Sequence, residues 1–247
     1  MTNSLIFPLL LPLLGGAVLV ALRPSRAWNR WGSVGIVALT FASVLYLTRL
    51  VSLREVIYLR LGDWYPPFGI VLAVDWLSIF MLLFMNLVGL SVVIYSIFKE
   101  QRGDGESPYF YPLLLFQIAG VNGALTTGDL FNLFVWFEVM LIASYALLAQ
   151  GSDRAKIKGV PDYVVINILS SALFLFAIGL TYASYGTLNF AHLGQLVQSG
   201  YEPAWSTSLA VLFFLVFGTK AAVFPLYFWM FRAYPLASFP VVGLFGG

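Results

Sequence analysis

The sequence predicts an all-α polytopic membrane protein. It has about seven transmembrane helices plus the start of an eighth, a broken seventh helix and a small outer β-hairpin. Three observations predict this. Of the 247 residues, 60% are hydrophobic and only 10% charged, whereas a soluble domain runs about 45–50% apolar and about 25% charged. The mean hydropathy is +0.90, an apolar surplus that lipid tolerates and water does not. The apolar residues also gather into runs of about 20, the length that crosses a bilayer as a helix.

The first run, residues 4–22, is preceded by no Lys or Arg. It lacks the positive segment that opens a secretory signal and reads as a retained helix. The second and third runs are 31–51 and 76–98. Between them Ile57, Leu59 and Leu61 alternate with Tyr58, Arg60 and Gly62. Pro66-Pro67-Phe68-Gly69 is a turn signal and Ile70 opens a second β-rich run, so residues 56–75 read as a hairpin, with an irregular loop as the alternative. Further runs follow at 108–126, 130–149, 163–185 and 205–227, and residues 241–247 open an eighth. A short surface helix is expected within 188–197. Asp75 is expected to cap the third helix, and Thr126, Thr127 and Asp129 the start of the fifth.

Orientation follows from the loop charges. With the N-terminus outside, the inner connections hold Arg23, Arg26, Arg30, Lys99, Arg102, Arg154, Lys156, Lys158 and Arg232, and the outer ones only Arg49, Arg54 and Arg60. Trp28, Trp31, Trp64, Tyr65 and Trp205 fall at the expected interfaces as belt residues. The net charge is +2 with no Lys/Arg run, which points away from nucleic acid. There is no cysteine and one histidine, His192. Cysteine-ligated zinc, iron–sulfur clusters and a bis-histidine haem therefore cannot be built from this chain, and no cofactor is expected.

Two charges sit mid-helix: Glu138 in the fifth and Lys220 in the seventh. A charge at the bilayer centre costs about 2.5–3.5 kcal/mol on insertion scales, so it persists only if paired, hydrated or needed. Burial drives a carboxyl and an ammonium toward exchange of protons near neutral pH. Two such groups form a switch: paired, both stay charged; apart, Lys tends to release a proton and Glu to take one. The alternative is a structural ion pair that only joins two helices. Gly218 before Lys220 and Pro225 after it mark a break in the seventh helix, and broken membrane helices line cavities and sites; a plain proline kink is the other reading. Asn167, Ser170 and Ser171 share one face of the sixth helix, either as supports of a hydrated path or as interhelical glue.

Three stretches carry a family resemblance: residues 127–145, from Thr127-Gly128-Asp129 through Trp136-Phe137-Glu138; Gly186-Thr187-Leu188-Asn189-Phe190-Ala191-His192; and Phe217-Gly218-Thr219-Lys220-Ala221-Ala222-Val223-Phe224-Pro225-Leu226-Tyr227-Phe228-Trp229. They resemble the D-subunit family of the multisubunit Mrp sodium/proton antiporters. That family is similar in turn to the proton-pumping membrane subunits of respiratory complex I and of membrane hydrogenases. The resemblance covers essentially the whole chain. It implies that Glu138 and Lys220 match the family's essential glutamate and lysine, and that the broken seventh helix supplies a proton half-channel. Tyr227 stands where complex I relatives usually carry histidine. Met230-Phe231 replaces the usual Leu-Pro and is followed by Arg232, and Ala237-Ser238-Phe239-Pro240 departs from the later Ala-Pro-x-Pro.

The expected organisation is residues 1–107 as three leading helices with the hairpin, and 108–247 as a truncated first antiporter repeat. Ending inside its eighth helix, the chain is expected to be a fragment or a shortened subunit without the second half-channel. The leading expectation is a proton-translocating subunit in a prokaryotic plasma membrane, working with other subunits on protons and Na⁺. That makes it a transporter component rather than an enzyme. The alternatives are a membrane-arm subunit of a redox-driven proton pump and an assembly scaffold.

Overall fold

The computed structural model describes residues 2–65, 69–101, 107–150 and 154–246. The Pro66-Pro67-Phe68 turn and Arg102 lie outside the described residues, as do the side chains of Arg154, Lys156 and Lys158. Helix α1 (Phe7–Leu22) follows a short 3-10 turn. Helix α2 (Arg26–Arg54) leads into the hairpin of β1 (Ile57–Arg60) and β2 (Val71–Val74). The strands are antiparallel, with Ile57 opposite Val74 and Arg60 opposite Val71. Helices α3 (Trp76–Gln101), α4 (Phe110–Thr126), α5 (Leu130–Leu148) and α6 (Arg154–Tyr185) follow, then the short α7 (Phe190–Gln198) and α8 (Ser206–Lys220). A six-residue α9 (Phe228–Ala233) and α10 (Phe239–Gly246) complete the described chain.

Helix α1 together with the 3-10 turn before it (Asn3–Leu22), and helices α2, α3, α5 and α6, are long and apolar enough to cross a membrane, and α4 and α8 are shorter apolar helices. The protein is thus a multi-pass membrane protein. α2 and α6 begin earlier than their apolar runs suggest, at Arg26 and Arg154 instead of 31 and 163. Their first turns carry charged residues, so hydropathy ends at the hydrocarbon edge while the helix continues into water.

α4 lies at the centre, packed by α1, α2, α3 and α5. It is buried on nearly every side, from Phe110 through Leu114, Leu115 and Ile118 to Thr126, as a helix apolar all round must be. Two glycines fix its distance from α5. A Cβ on Gly123 would overlap the Trp136 indole, and one on Gly120 would come within 2.8 Å of Met140.

A buried amide pair ties α4 to α1 and α3. Asn86 Nδ2 donates to Asn122 Oδ1 at 3.0 Å and Asn122 Nδ2 to Asn86 Oδ1 at 3.2 Å. Asn122 Nδ2 also donates to the Pro8 carbonyl at 2.9 Å. Pro12 lies inside α1 and has no N–H, so the carbonyl four residues back, that of Pro8, loses its helical donor. Asn122 supplies it.

The hairpin end of the bundle is stitched by backbone. The Gly128 N–H donates to Val71 O (2.8 Å), the Leu130 N–H to Leu188 O (2.9 Å) and the Phe190 N–H to Gly128 O (3.0 Å). The extended segment between α4 and α5 thus lies between β2 and the approach to α7. Asp129 caps α5 through the Asn132 N–H at 2.8 Å, and Asp75 caps α3 through the Ser78 N–H at 2.8 Å. That bond holds the Asp75 carboxyl below the usual carboxylate range. Asn189 caps α7 through the His192 N–H at 3.1 Å.

Candidate functional site

The site forms where α8 stops. Fifteen residues give α8 a length of about 22 Å, short of the roughly 30 Å hydrocarbon layer. Its end is a Schellman motif: Val223 N–H donates to Gly218 O at 2.9 Å and Ala222 N–H to Thr219 O at 3.2 Å. The residue that turns the chain is Ala222, at φ +50, where glycine is usual. Lys220 is therefore the last helical residue. Trp229 returns from α9 and donates its Nε1–H to the Thr219 carbonyl at 2.8 Å, satisfying a group that the broken helix leaves open.

The Lys220 ammonium donates to Ser171 Oγ at 3.3 Å and sits 5.1 Å from the centroid of the Phe137 ring, within cation–π range. Phe137 is held in turn by Phe174 and Phe217, at centroid distances of 6.0 and 6.4 Å. Glu138 follows Phe137 on α5. It lies close enough to Lys220 to act on it electrostatically, yet no ion pair within 4.0 Å joins these two described residues. Glu138 Oε1 is buried without a hydrogen-bond partner. The two charges are thus neighbours in a separated state.

Below Lys220, toward the end of the bundle opposite the hairpin, lies a cavity of about 100 Å³. That is room for about three waters at ~30 Å³ each. Gln117, Ser144, Tyr163, Asn167, Lys220 and Tyr234 contribute its polar lining. Gln117 Oε1 is buried without a partner, and the Ser144 and Tyr163 hydroxyls lie 2.9 Å apart. Such an arrangement can carry protons through exchangeable O–H and N–H groups and water between an ammonium and one end of the bundle.

The residues singled out in the sequence divide their work. Ser171 holds Lys220, Asn167 lines the cavity and donates to Tyr163 O at 2.9 Å, and Ser170 donates to Val216 O at 3.4 Å, joining α6 to α8. Gly218 stays helical and accepts from Val223; a Cβ there would meet Leu226 at 3.3 Å. Pro225 lies past the helix end, exposed, and does not line the cavity. Gln117, Ser144, Tyr163, Trp229 and Tyr234 were not singled out. Gln117 stands alone among Leu113, Leu114, Leu115, Phe116 and Ile118, and that isolated polar residue was a signal.

A family profile described as "NADH:quinone oxidoreductase/Mrp antiporter, TM" matches residues 127–247, which include Glu138, Lys220 and most of the cavity. Residues 127–247 thus carry the transmembrane domain of this family. The chain as a whole is similar to the D-subunit of the Na⁺/H⁺ antiporter of Alkalihalophilus pseudofirmus, at 40% identity over all of this chain and 50% of that protein. It is similar also to the D-subunit of a probable K⁺/H⁺ antiporter of Rhizobium meliloti, at 39% identity over 98% of this chain and 46% of that one. Among solved structures, the Mrp complex from Dietzia sp. superposes with a TM-score of 0.88 at 30% identity, over 100% of this chain and 46% of that chain. The chain spans about half the length of the curated relatives it matches.

Proposed function

We propose that the chain is a proton-translocating part of a multisubunit Mrp-type antiporter that exchanges a monovalent cation, Na⁺ in the first instance, for protons. The observation that carries this reading is the site itself: an ammonium at the end of a broken helix, beside a half-buried carboxylate whose Oε1 has no hydrogen-bond partner, and above a polar cavity. Lys220 and Glu138 are the proton-transfer groups. Ser171 and Asn167 support them, with Ser170, Gly218 and Pro225 shaping the helices around them. Residues 1–107 serve as the leading unit and 108–247 as the antiporter-like repeat.

Further subunits belong to the reading. Glu138 shares a stripe of α5 with Phe131, Val135 and Ile142, which are exposed. A carboxylate is costly against lipid, so a neighbouring protein surface is taken to cover this stripe. The membrane is the prokaryotic plasma membrane with the hairpin end outside, because Arg23, Arg26, Arg30, Lys99 and Arg232 belong to the opposite end. The family also includes redox-driven pumps; the identity of 39–40% to antiporter subunits favours antiport.

The test is cation-dependent dissipation of ΔpH in inverted vesicles, with the chain expressed beside its neighbouring gene products. Wild type should exchange, and Glu138→Ala and Lys220→Ala should assemble but not exchange. Variants that exchange like wild type would show that the two charges are structural.

A further inference from the structure

We propose that residues 228–236 form a lid over the Lys220 cavity, latched to α6 by the Asp162–Arg232 ion pair. The proposal rests on the reading of Lys220 as a proton carrier only for its purpose; the lid itself is a matter of access.

The segment supplies two walls of the cavity, Trp229 and Tyr234. Their rings continue a run from α6 to α10: Tyr163–Trp229 at 5.2 Å, Trp229–Tyr234 at 6.2 Å and Tyr234–Phe245 at 6.3 Å between centroids. This run lies between Lys220 and the end of the bundle opposite the hairpin. α9 has six residues, too few to hold a helix without docking. It docks through Trp229 and Ala233, buried with Leu148 and Tyr163, and through the Trp229–Thr219 bond, while Phe228 and Phe231 stay exposed.

Besides the Tyr163–Trp229 ring contact, the segment meets α6 at two further places. At Gly159 the approach is close: an added Cβ would run into Leu236 and come 3.4 Å from the Arg232 carbonyl. Nearby, Arg232 Nη1 donates to Asp162 Oδ2 at 2.5 Å. Asp162 precedes Tyr163 in sequence, and Arg232 lies between Trp229 and Tyr234, so the pair joins the two elements that carry the aromatic run. The Arg232 and Asp162 side chains are 65% and 45% exposed. An ion pair so wet is weak and screened by salt, which suits a latch that must open and close. When it parts, α9 is free to swing from α6 and admit water to the cavity; when it forms, the rings close beneath Lys220.

The chain has no cysteine, so one can be placed in the cavity as Ser144→Cys. The assembled complex in nanodiscs, open on both faces, is treated with a membrane-impermeant maleimide, and the rate of labelling of this chain is read. In that background Asp162→Asn and Arg232→Gln should each label faster by about fivefold, the order expected for loss of a half-exposed pair. The swap of Asp162→Arg with Arg232→Asp should return the rate toward the parent's. Independently of any latch variant, choline chloride should speed labelling of Ser144→Cys alone, and this series decides the matter if the variants fail to assemble. Rates that neither neutralisation nor salt changes overturn the lid. Labelling of the Ser144→Cys complex as expected, with no cation exchange by the complex that keeps Ser144, overturns the antiporter reading and leaves the lid standing.

Discussion

At the scale of single residues, the site depends on Lys220 being held without being neutralised. Ser171 accepts from its ammonium and Phe137 offers its ring, while Glu138 stands apart. Ser171→Ala removes one such contact, and a hydrogen bond to a charged group contributes about 1.5–3 kcal/mol. Because this one is long, a loss of about fivefold in exchange rate is expected at unchanged complex yield, read in the same vesicle assay. The buried amide pair makes a structural contrast. Asn122→Leu leaves the Pro8 carbonyl and Asn86 Oδ1 without a donor, each costing about 1 kcal/mol or more. It should lower the thermal stability of the purified complex. The sequence made Glu138 and Lys220 legible because charge in an apolar run is rare. Gln117, Ser144 and Tyr163 were less legible because small polar and phenolic groups are common in membrane helices, and only packing brings them to one cavity.

Among the elements, the seventh transmembrane segment teaches most. Gly218 and Pro225 correctly mark a broken helix, yet neither residue makes the break. The helix ends at Lys220 because Ala222 takes a left-handed backbone and Val223 and Ala222 return to the last carbonyls. No glycine announces that turn, so sequence alone placed the break too broadly. A left-handed Cβ costs about 1–2 kcal/mol. Ala222→Gly should therefore stabilise the complex modestly and Ala222→Val destabilise it, both seen as shifts in Tm. The hairpin was legible from alternation and its turn signal, and α7 as a short surface helix within 188–197. Their joint stitching through Gly128 was not, since hydrogen bonds between distant backbone segments leave no local pattern. α4 and α5 approach through Gly120 and Gly123, and Gly123→Leu should disrupt assembly by driving a side chain into Trp136.

For the whole molecule, the apolar surface is larger than its own packing needs. Phe224, Phe228 and Phe239 are 77%, 64% and 80% exposed beside the broken segment, and the α5 stripe that bears Glu138 is open as well. Lipid accepts the phenylalanines; the glutamate asks for protein. Vesicles holding this chain alone should therefore show no exchange, and its neighbouring membrane subunits should co-purify with it. Orientation is checked by alkaline phosphatase fusions, expected to be active after Asp63 in the hairpin connection and inactive after Pro24 between α1 and α2. The opposite result would reverse the assignment of the two ends.

The central claim is that Lys220 passes a proton rather than merely holding a charge, and Lys220→Arg separates the two most directly. Arginine keeps the cation but does not give up its proton in a protein. Cation-dependent ΔpH dissipation should fall to background in Lys220→Arg vesicles that contain the complex at wild-type yield. Exchange at the wild-type rate in that variant would contradict the account and leave Lys220 a structural charge.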